Sequence, residues 1–567
     1  MSTFTTDRPP PAPPLPADGA ARAILPPSLA AALSGCGGGG GAEMAVPPPP
    51  ASPPPPPPPA AAALSDADAA RLLTQAGFAA SDAGIAAVKA KGYAAWLDEQ
   101  FAIAPGISNY DWMISKGYGA AEYRGSTSGI DNALWRSWLS APDALRQRVT
   151  LALSEIFVVS IDNVPVAWSS LTVAAYVDLL AEHAFGSFRE LLGAVTLSNA
   201  MGVFLSMRGN QKEDAKTGRM PDENYAREVM QLFTIGLYEL NPDGSPRLDE
   251  AGKPRETYTP ATISELARVF TGWELADTAG TDPAAVRRPM VHLSGRFSAG
   301  AKKALDVDIP ASADGPTALR LALDALAAHP NVGPFIGRQL IQRLVCSQPS
   351  PAYVQRVAAV FDNNGAGRRG DLRAVIRAIL LDAEARQPAA SPSSGRLREP
   401  MLRFIQWARS FGVSSASGLW SVGDTSNPAT RLGQSPLRSP SAFNFFRPGY
   451  VPPNSTLGEH RVTAPEFQLC NESSVAGYLN FMQTVIAGEF AELRPDYTAE
   501  LALAGDATAL VERVALLLAG GDLQPATRST IAAAVAQIRA DTEAGRASRV
   551  HATLLLVMAS PDYQVQK

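Results

Sequence analysis

Residues 221–244 read PDENYAREVMQLFTIGLYELNPDG. The seven positions after Pro221 hold Asp222, Glu223, Asn224, Arg227 and Glu228, and the chain then turns almost wholly apolar. At about 100° per residue, Glu223, Thr234, Arg227, Gln231, Asn224 and Glu228 fall within one arc of about 140°. Tyr225, Ala226, Val229, Met230, Leu232, Phe233 and Leu237 fill the other side, which is the pattern of an amphipathic helix. Glu223 and Arg227 stand at i, i+4 in the favourable order, and acids in the first turn suit the helix dipole. Ile235 falls inside the polar arc, between Asn224 and Glu228. That edge is therefore expected to touch other protein, where a covered carboxyl needs a partner or shifts its pKa.

The helical period extends outward in both directions. LSDADAARLLTQAGF opens with Ser65 three residues before Asp68, a capping-box start. LRQRVTLALSEIFVVS, AAYVDLLAEHAFGSFRELLGAVTL and HPNVGPFIGRQLIQRLV carry apolar stripes. Ser350-Pro351 and Thr262, three before Glu265, mark further helix starts. Strand signals are few; GSPRLDEAGKPRETYT, with a Glu-Ala-Gly turn, predicts one exposed β-hairpin. The expected fold is mainly α, a large multi-helix domain over 64–567 with two helical cores and a seam near 388–395. Long loops at 276–315 and 411–464 are of a length that is usually functional or disordered.

A chain of 567 residues, 46% hydrophobic and 18% charged, exceeds what one growing core normally holds. A net charge of -5 without a basic cluster excludes an electrostatic footprint for nucleic acid. The first 64 residues differ in composition from the rest. An apolar run from Ala23 to Leu33, then Ser34-Gly35-Cys36, has the form of a lipoprotein-type leader over 1–35, cleaved before Cys36 and followed by lipidation of that cysteine. Five glycines and eleven prolines follow within 36–63. The polyproline part would stand about 40 Å off its domain, as a surface tether does. The expectation is an exported protein, periplasmic or on the cell surface or outer membrane, with the lipid anchor as its membrane contact. Cys346 and Cys470 then form an even pair, read as two buried free thiols rather than a disulfide, since neither lies in a spaced framework.

Signatures for common chemistries are absent: there is no G-x-S-x-G, no P-loop, no H-E-x-x-H and no C-x-x-C. Gly365, Gly367 and Gly370 match a dinucleotide spacing but follow a helical stretch, so they read as a helix-to-helix turn. The five histidines are never paired at i, i+4, and no metal set is assigned. His551 reads as a core residue. His183 shares a face with Tyr176, Leu179 and Leu180, beside Glu182, and is either core or part of a site. Phe443, Asn444 and Arg447, in the aromatic loop LGQSPLRSPSAFNFFRPGYVPP, are candidates for stacking on a ligand or for pinning the loop.

Taken in order, AARLLTQAGF, YVDLLAEHAFGSFRELLGAVTLSNAMGVFLSM, PDENYAREVMQLFTIGLYELNPDG, ARVFTGW, LREPMLRF, SPSAFNFFRPGYVPP and SPDYQVQ resemble the bacterial family called domain of unknown function 1800, from about residue 65 to 566. The resemblance implies export and a gene neighbourhood shared with an exported sulfatase- or phosphatase-like family, a candidate partner. It carries no activity, cofactor or catalytic residue. Members usually show His-Asp where His292 is followed by Leu293 here, so no metal or acid role is carried over to that pair.

The leading expectation is a binding or assembly role at the cell surface. The alternative is a hydrolase of an extracellular polymer or ester, with Glu228, Glu223 and Glu182 as carboxylates tuned by His183 or Arg227, and Asn224 beside them. A scaffold without a small ligand is a third reading. The first two separate on whether Glu228, Asn224 and His183 converge in a cleft.

Overall fold

A computed structural model describes residues 63–387 and 394–567 of the chain. The leader, the tether, Cys36 and most of the seam near 388–395 lie outside the described residues. Helices dominate, and strands occur only as four two-stranded antiparallel sheets among the described residues. The chain is mainly α, as the periodicity requires.

Helix starts follow local chemistry. Ser65 and Asp68 form the reciprocal capping box of the Asp66–Gly77 helix. Ser350 caps Pro351–Asp362, with proline in its first turn. The Pro260–Val269 helix begins earlier than expected: Thr259 is its cap and Thr262 closes the box from inside. Gly365, Gly367 and Gly370 all take positive φ in the turn between Pro351–Asp362 and Leu372–Leu381, whose cap is Asp371. The expected hairpin contains three segments rather than two, joined by bridges Leu240–Pro246, Leu248–Pro254 and Tyr238–Glu256.

Most of the buried apolar residues form one contiguous cluster running from Ala69 to Tyr563, rather than two separate cores. The reason is a chain that returns on itself. The Asp66–Gly77 helix packs on both Ala144–Ser154 and Ala507–Ala519. Arg396 and Leu397 pair with Gln566 and Val565 at the C-terminus. Trp135 stands edge-on to Trp138 at 6.2 Å and to Phe404 at 5.2 Å, so aromatics from distant segments share one centre.

A buried charged cluster sits inside that centre. Arg396 Nη2 donates to Glu399 Oε1 at 2.6 Å, and its Nε lies 3.5 Å from Glu466 Oε1. Arg343 Nε approaches Glu155 Oε2 at 3.5 Å, Gln434 donates to Glu399 at 2.6 Å, and Ser347 donates to Glu466 at 2.8 Å. Burial, then the charge of Glu399, pushes the Glu155 carboxyl well above the ordinary range. Burial opposes the Glu399 carboxylate too, but Arg396 leads the groups that hold it below its ordinary value. Buried charges persist only when paired in this way.

Cys346 and Cys470 are both free. Burial pushes the Cys346 thiol up to about 12. Cys470, contrary to the expectation of two buried thiols, is exposed at the end of the short Pro465–Leu469 turn, whose buried residues are Pro465 and Glu466 at its start.

Candidate functional site

The Ser169–His183 helix and the Phe188–Leu197 helix are joined by only four residues and pack side by side, so they run antiparallel. Tyr176 anchors the first through its hydroxyl on the Phe157 carbonyl at 2.6 Å. Ser198 ends the second and caps Asn199–Phe204 through a bond from the Met201 N–H. The long loop at 276–315 folds back over both helices. Asn199 Nδ2 donates to the carbonyls of Ala285 at 3.3 Å and Val286 at 3.2 Å, and the Met290 N–H donates to the Leu197 carbonyl at 2.8 Å. The segment between these anchors, Val286 to Pro289, roofs a cavity of about 390 Å3.

Leu179, Ala194, Leu197 and Val286 make its apolar walls, and Asp178, Glu182, His183, Asn199, Arg287 and Arg288 supply its polar groups. Asp178 is committed to the fold. It accepts the backbone N–H groups of Asn109 and Tyr110, each at 2.8 Å, and the Asn109 side chain at 2.9 Å. Burial nevertheless leaves its pKa raised. Arg287 pairs with Asp111 at 3.2 Å and lies over the Tyr110 ring, while Arg288 pairs with Asp282 at 2.7 Å. Glu182 is exposed and His183 half-buried, and among the described residues neither side chain has a hydrogen-bond or ion-pair partner. The amide of Asn199 is oriented by two carbonyls, so its Oδ1 faces away from them, buried and without a partner.

The candidates from the opening stretch lie elsewhere. The helix there covers only Asn224–Gln231. Thr234 and Ile235 belong to the turn beyond it, where Thr234 Oγ1 donates to the Val229 carbonyl at 2.6 Å and Gly236 adopts φ 70°. Ile235 is fully buried because the helical wheel no longer applies there, not because the polar edge meets a partner. Glu223 pairs with Arg227 at 3.2 Å and accepts from Ser264 at 2.6 Å, in a surface arrangement. Asn224 is exposed. Glu228 is half-covered, and burial raises its pKa against the charge of Arg227. Its neighbour Tyr258, pushed up to about 12 by burial and then by Glu228, bonds to Gln231 at 3.3 Å.

Glu223, Asn224 and Glu228 do not line the cavity that holds Glu182 and His183. The carboxylates named for hydrolysis are thus not brought together. On its apolar side the helix is fixed by Tyr225, whose hydroxyl meets Thr196 at 2.7 Å.

Phe443, Asn444 and Arg447 do not line the cavity either. Asn444 is buried at φ 62°, and Arg447 lies over the Phe443 ring at 5.6 Å. With Phe446 buried and Arg438 paired to Asp131 at 2.9 Å, the aromatic loop is pinned to the domain. His292 is enclosed between Trp273 and Phe297, and His551 packs on Tyr497. Among the described residues no group of three or more His, Cys, Asp or Glu side chains is arranged to hold a metal ion.

Asn199, Asp178, Arg287 and Arg288 escaped the reading of motifs. Only the length of the 276–315 loop pointed toward two of them, since partners so distant in sequence leave no local spacing. The family model described as a protein of unknown function, DUF1800, matches residues 71–565. No curated protein and no solved structure matches the chain. With that match covering most of its length, the chain belongs to the DUF1800 family.

Proposed function

We propose that this protein is exported, anchored by lipid at Cys36, and binds a small ligand in the cavity under residues 286–289. The observation that carries the binding role is the cavity of about 390 Å3, within the range of small-molecule sites, with apolar walls and a few convergent polar groups. Among the described residues the Glu182 and His183 side chains on its lining have no hydrogen-bond or ion-pair partner in the fold, whereas Asp178, Arg287 and Arg288 are engaged. The leader and the Gly/Pro tract support the surface location. A fragment screen by thermal shift tests the binding role: ligands should raise the melting temperature of the protein and lose that effect in Ala194→Phe, which fills the cavity. Failure of every fragment to bind in an Ala194-dependent way overturns it. Mass spectrometry of the membrane-extracted protein tests the anchor, which predicts a diacylglyceryl group on Cys36 and none in Cys36→Ser.

The hydrolase reading retains one supporting observation, the covered Glu228 carboxyl with Oε2 lacking a partner. Equal hydrolysis of polymer and ester substrates by the native protein and Glu228→Gln removes it.

A further inference from the structure

Burial lowers the pKa of a set of arginines in this fold, and all but one of them are partnered. Arg148 donates to the Arg343 carbonyl, Arg343 to the Glu155 carbonyl, Arg398 to the Tyr563 carbonyl and Arg409 to the Trp138 carbonyl, and Arg136, Arg146 and Arg386 donate likewise. Each of these also has an acid within reach that offsets part of the cost. The exception is Arg338. Among the described residues its side chain has no hydrogen bond and no ion pair, and burial alone, with no neighbouring charge of either sign contributing, pulls its pKa below the ordinary arginine value. The guanidinium is recessed rather than sealed: Arg338 is partly exposed, and none of its nitrogens belongs to the enclosed polar atoms. A recessed cation with five N–H donors and no counter-charge is costly unless something outside the fold supplies the anion.

Arg338 lies on the Val332–Leu344 helix. At about 100° per residue, Asn331, Phe335, Arg338 and Gln342 fall within about 60° of one another, on a stripe turned away from Gly333 and Gly337, which face the Pro351–Asp362 helix. The stripe is clamped at both ends. Asn331 Nδ2 donates to the Ile235 and Tyr238 carbonyls, each at 2.8 Å, and its Oδ1 accepts the Leu240 N–H at 2.9 Å. Gln342 Nε2 donates to the Ser347 carbonyl at 2.9 Å and to the Pro448 carbonyl at 3.3 Å. Arg338 stands between these clamps, about 10 Å along the axis from Asn331 and about 6 Å from Gln342. Its neighbour one turn back is Phe335, whose ring packs on Gly236, 2.8 Å from where a Cβ would stand there. Leu237 and Tyr238, in the turn that Asn331 holds, are 48% and 44% exposed and add apolar surface to the Phe335 end.

Charge balance selects the ligand. A single uncompensated positive charge is neutralised by a singly charged anion, whereas a phosphate or sulfate dianion would leave an excess with no second cation to share it. A carboxylate carries one charge, and its two oxygens match two parallel N–H donors of a guanidinium. We infer that Arg338 anchors a binding site, separate from the cavity under residues 286–289, for a monocarboxylate carrying an apolar group. The carboxylate pairs with the guanidinium fork, and the apolar group lies against Phe335.

Isothermal titration calorimetry of the full-length protein with phenylacetate, phenylacetamide and phenyl phosphate tests the site, at about pH 7.5, where a phosphate monoester is doubly charged. Phenylacetate should bind about tenfold or more tightly than the neutral amide of the same shape, and ahead of the phosphate. In Arg338→Met, whose unbranched chain keeps the packing of the arginine stem, the preference for the acid over the amide should vanish while the melting temperature holds or rises, since an unpaired charge has been removed. Ala194→Phe should leave phenylacetate affinity unchanged. A fourth probe, N-acetylphenylalanine, distinguishes sources: it binds ahead of phenylacetate where the carboxylate is a peptide terminus and behind it where the acid is free, and both orders support the site. Phenylacetate binding no tighter than phenylacetamide, phenyl phosphate binding more tightly than both, or retention of the preference in Arg338→Met overturns the inference. So does a melting temperature that falls by several degrees in Arg338→Met, which would make the guanidinium a structural group. Loss of phenylacetate binding in Ala194→Phe moves the ligand to the cavity, which overturns this site while supporting the binding role proposed above.

Discussion

Arg396 and Glu399 meet at 2.6 Å with each side chain only 1% exposed, and the same arginine reaches Glu466 at 3.5 Å. One guanidinium therefore neutralises two buried acids at the point where the C-terminal helices join the rest of the core. Arg396→Met leaves both carboxylates without their main counter-charge. The expected loss is about 3–5 kcal/mol of folding stability, read from guanidinium denaturation midpoints. A change under about 1 kcal/mol would mean that Arg343 and Arg148, a further buried arginine whose charge favours the Glu399 carboxylate, suffice for the cluster.

Glu155 supplies a pH signature. Its folded pKa lies well above the ordinary 4.5, because of burial and then Glu399. Below that ordinary value the folded and unfolded chains both hold the proton, so stability is intact. Above it the unfolded chain releases a proton that the fold retains, and stability falls by about 1.4 kcal/mol per pH unit until the folded pKa is passed. Glu155→Gln has no such proton. Its stability relative to the native protein should rise as the pH climbs above about 5, and parallel pH profiles would contradict a protonated Glu155.

Asn444 occupies left-handed backbone in the pinned aromatic loop. Glycine tolerates that conformation, whereas a β-branched residue does not. Asn444→Val should lower stability by about 1–2 kcal/mol relative to Asn444→Gly, measured by thermal unfolding of the two variants side by side.

The helix of the opening stretch separates structural from peripheral roles. Glu223 and Arg227 are a surface pair, 40% and 45% exposed, so Glu223→Gln should cost no more than about 0.5 kcal/mol. Tyr225→Phe removes a buried hydroxyl bonded to Thr196 and should cost about 1 kcal/mol or more. The reverse order in urea denaturation would place the weight of this helix on its charged face.

The two cysteines should differ in reactivity. With its thiol pushed to about 12, Cys346 holds thiolate in only about one molecule in ten thousand at pH 8. In a Cys36→Ser background, one thiol per chain, Cys470, should label rapidly with an aromatic disulfide reagent. Two fast thiols would show that the Cys346 side of the core opens.

Local sequence determined what local physics controls. Capping serines and threonines, prolines at first turns and the helical spacing of apolar residues specify a mainly α chain, since each acts within one or two turns of backbone. The amphipathic face holding Glu223 and Arg227 was legible for the same reason. The end of that helix was not, because Thr234 and Gly236 break a wheel that composition alone would continue.

The site was legible in part. His183 and Glu182 are neighbours on one helix, but Asn199, Arg287 and Arg288 come from other elements, and only packing brings them to the same space. Tertiary structure likewise decided that Glu228 stands apart from that cavity and that Ala69 to Tyr563 share one core. Periodicity says which face of an element is apolar. Which other element covers that face depends on contacts hundreds of residues apart, for which the chain carries no local code.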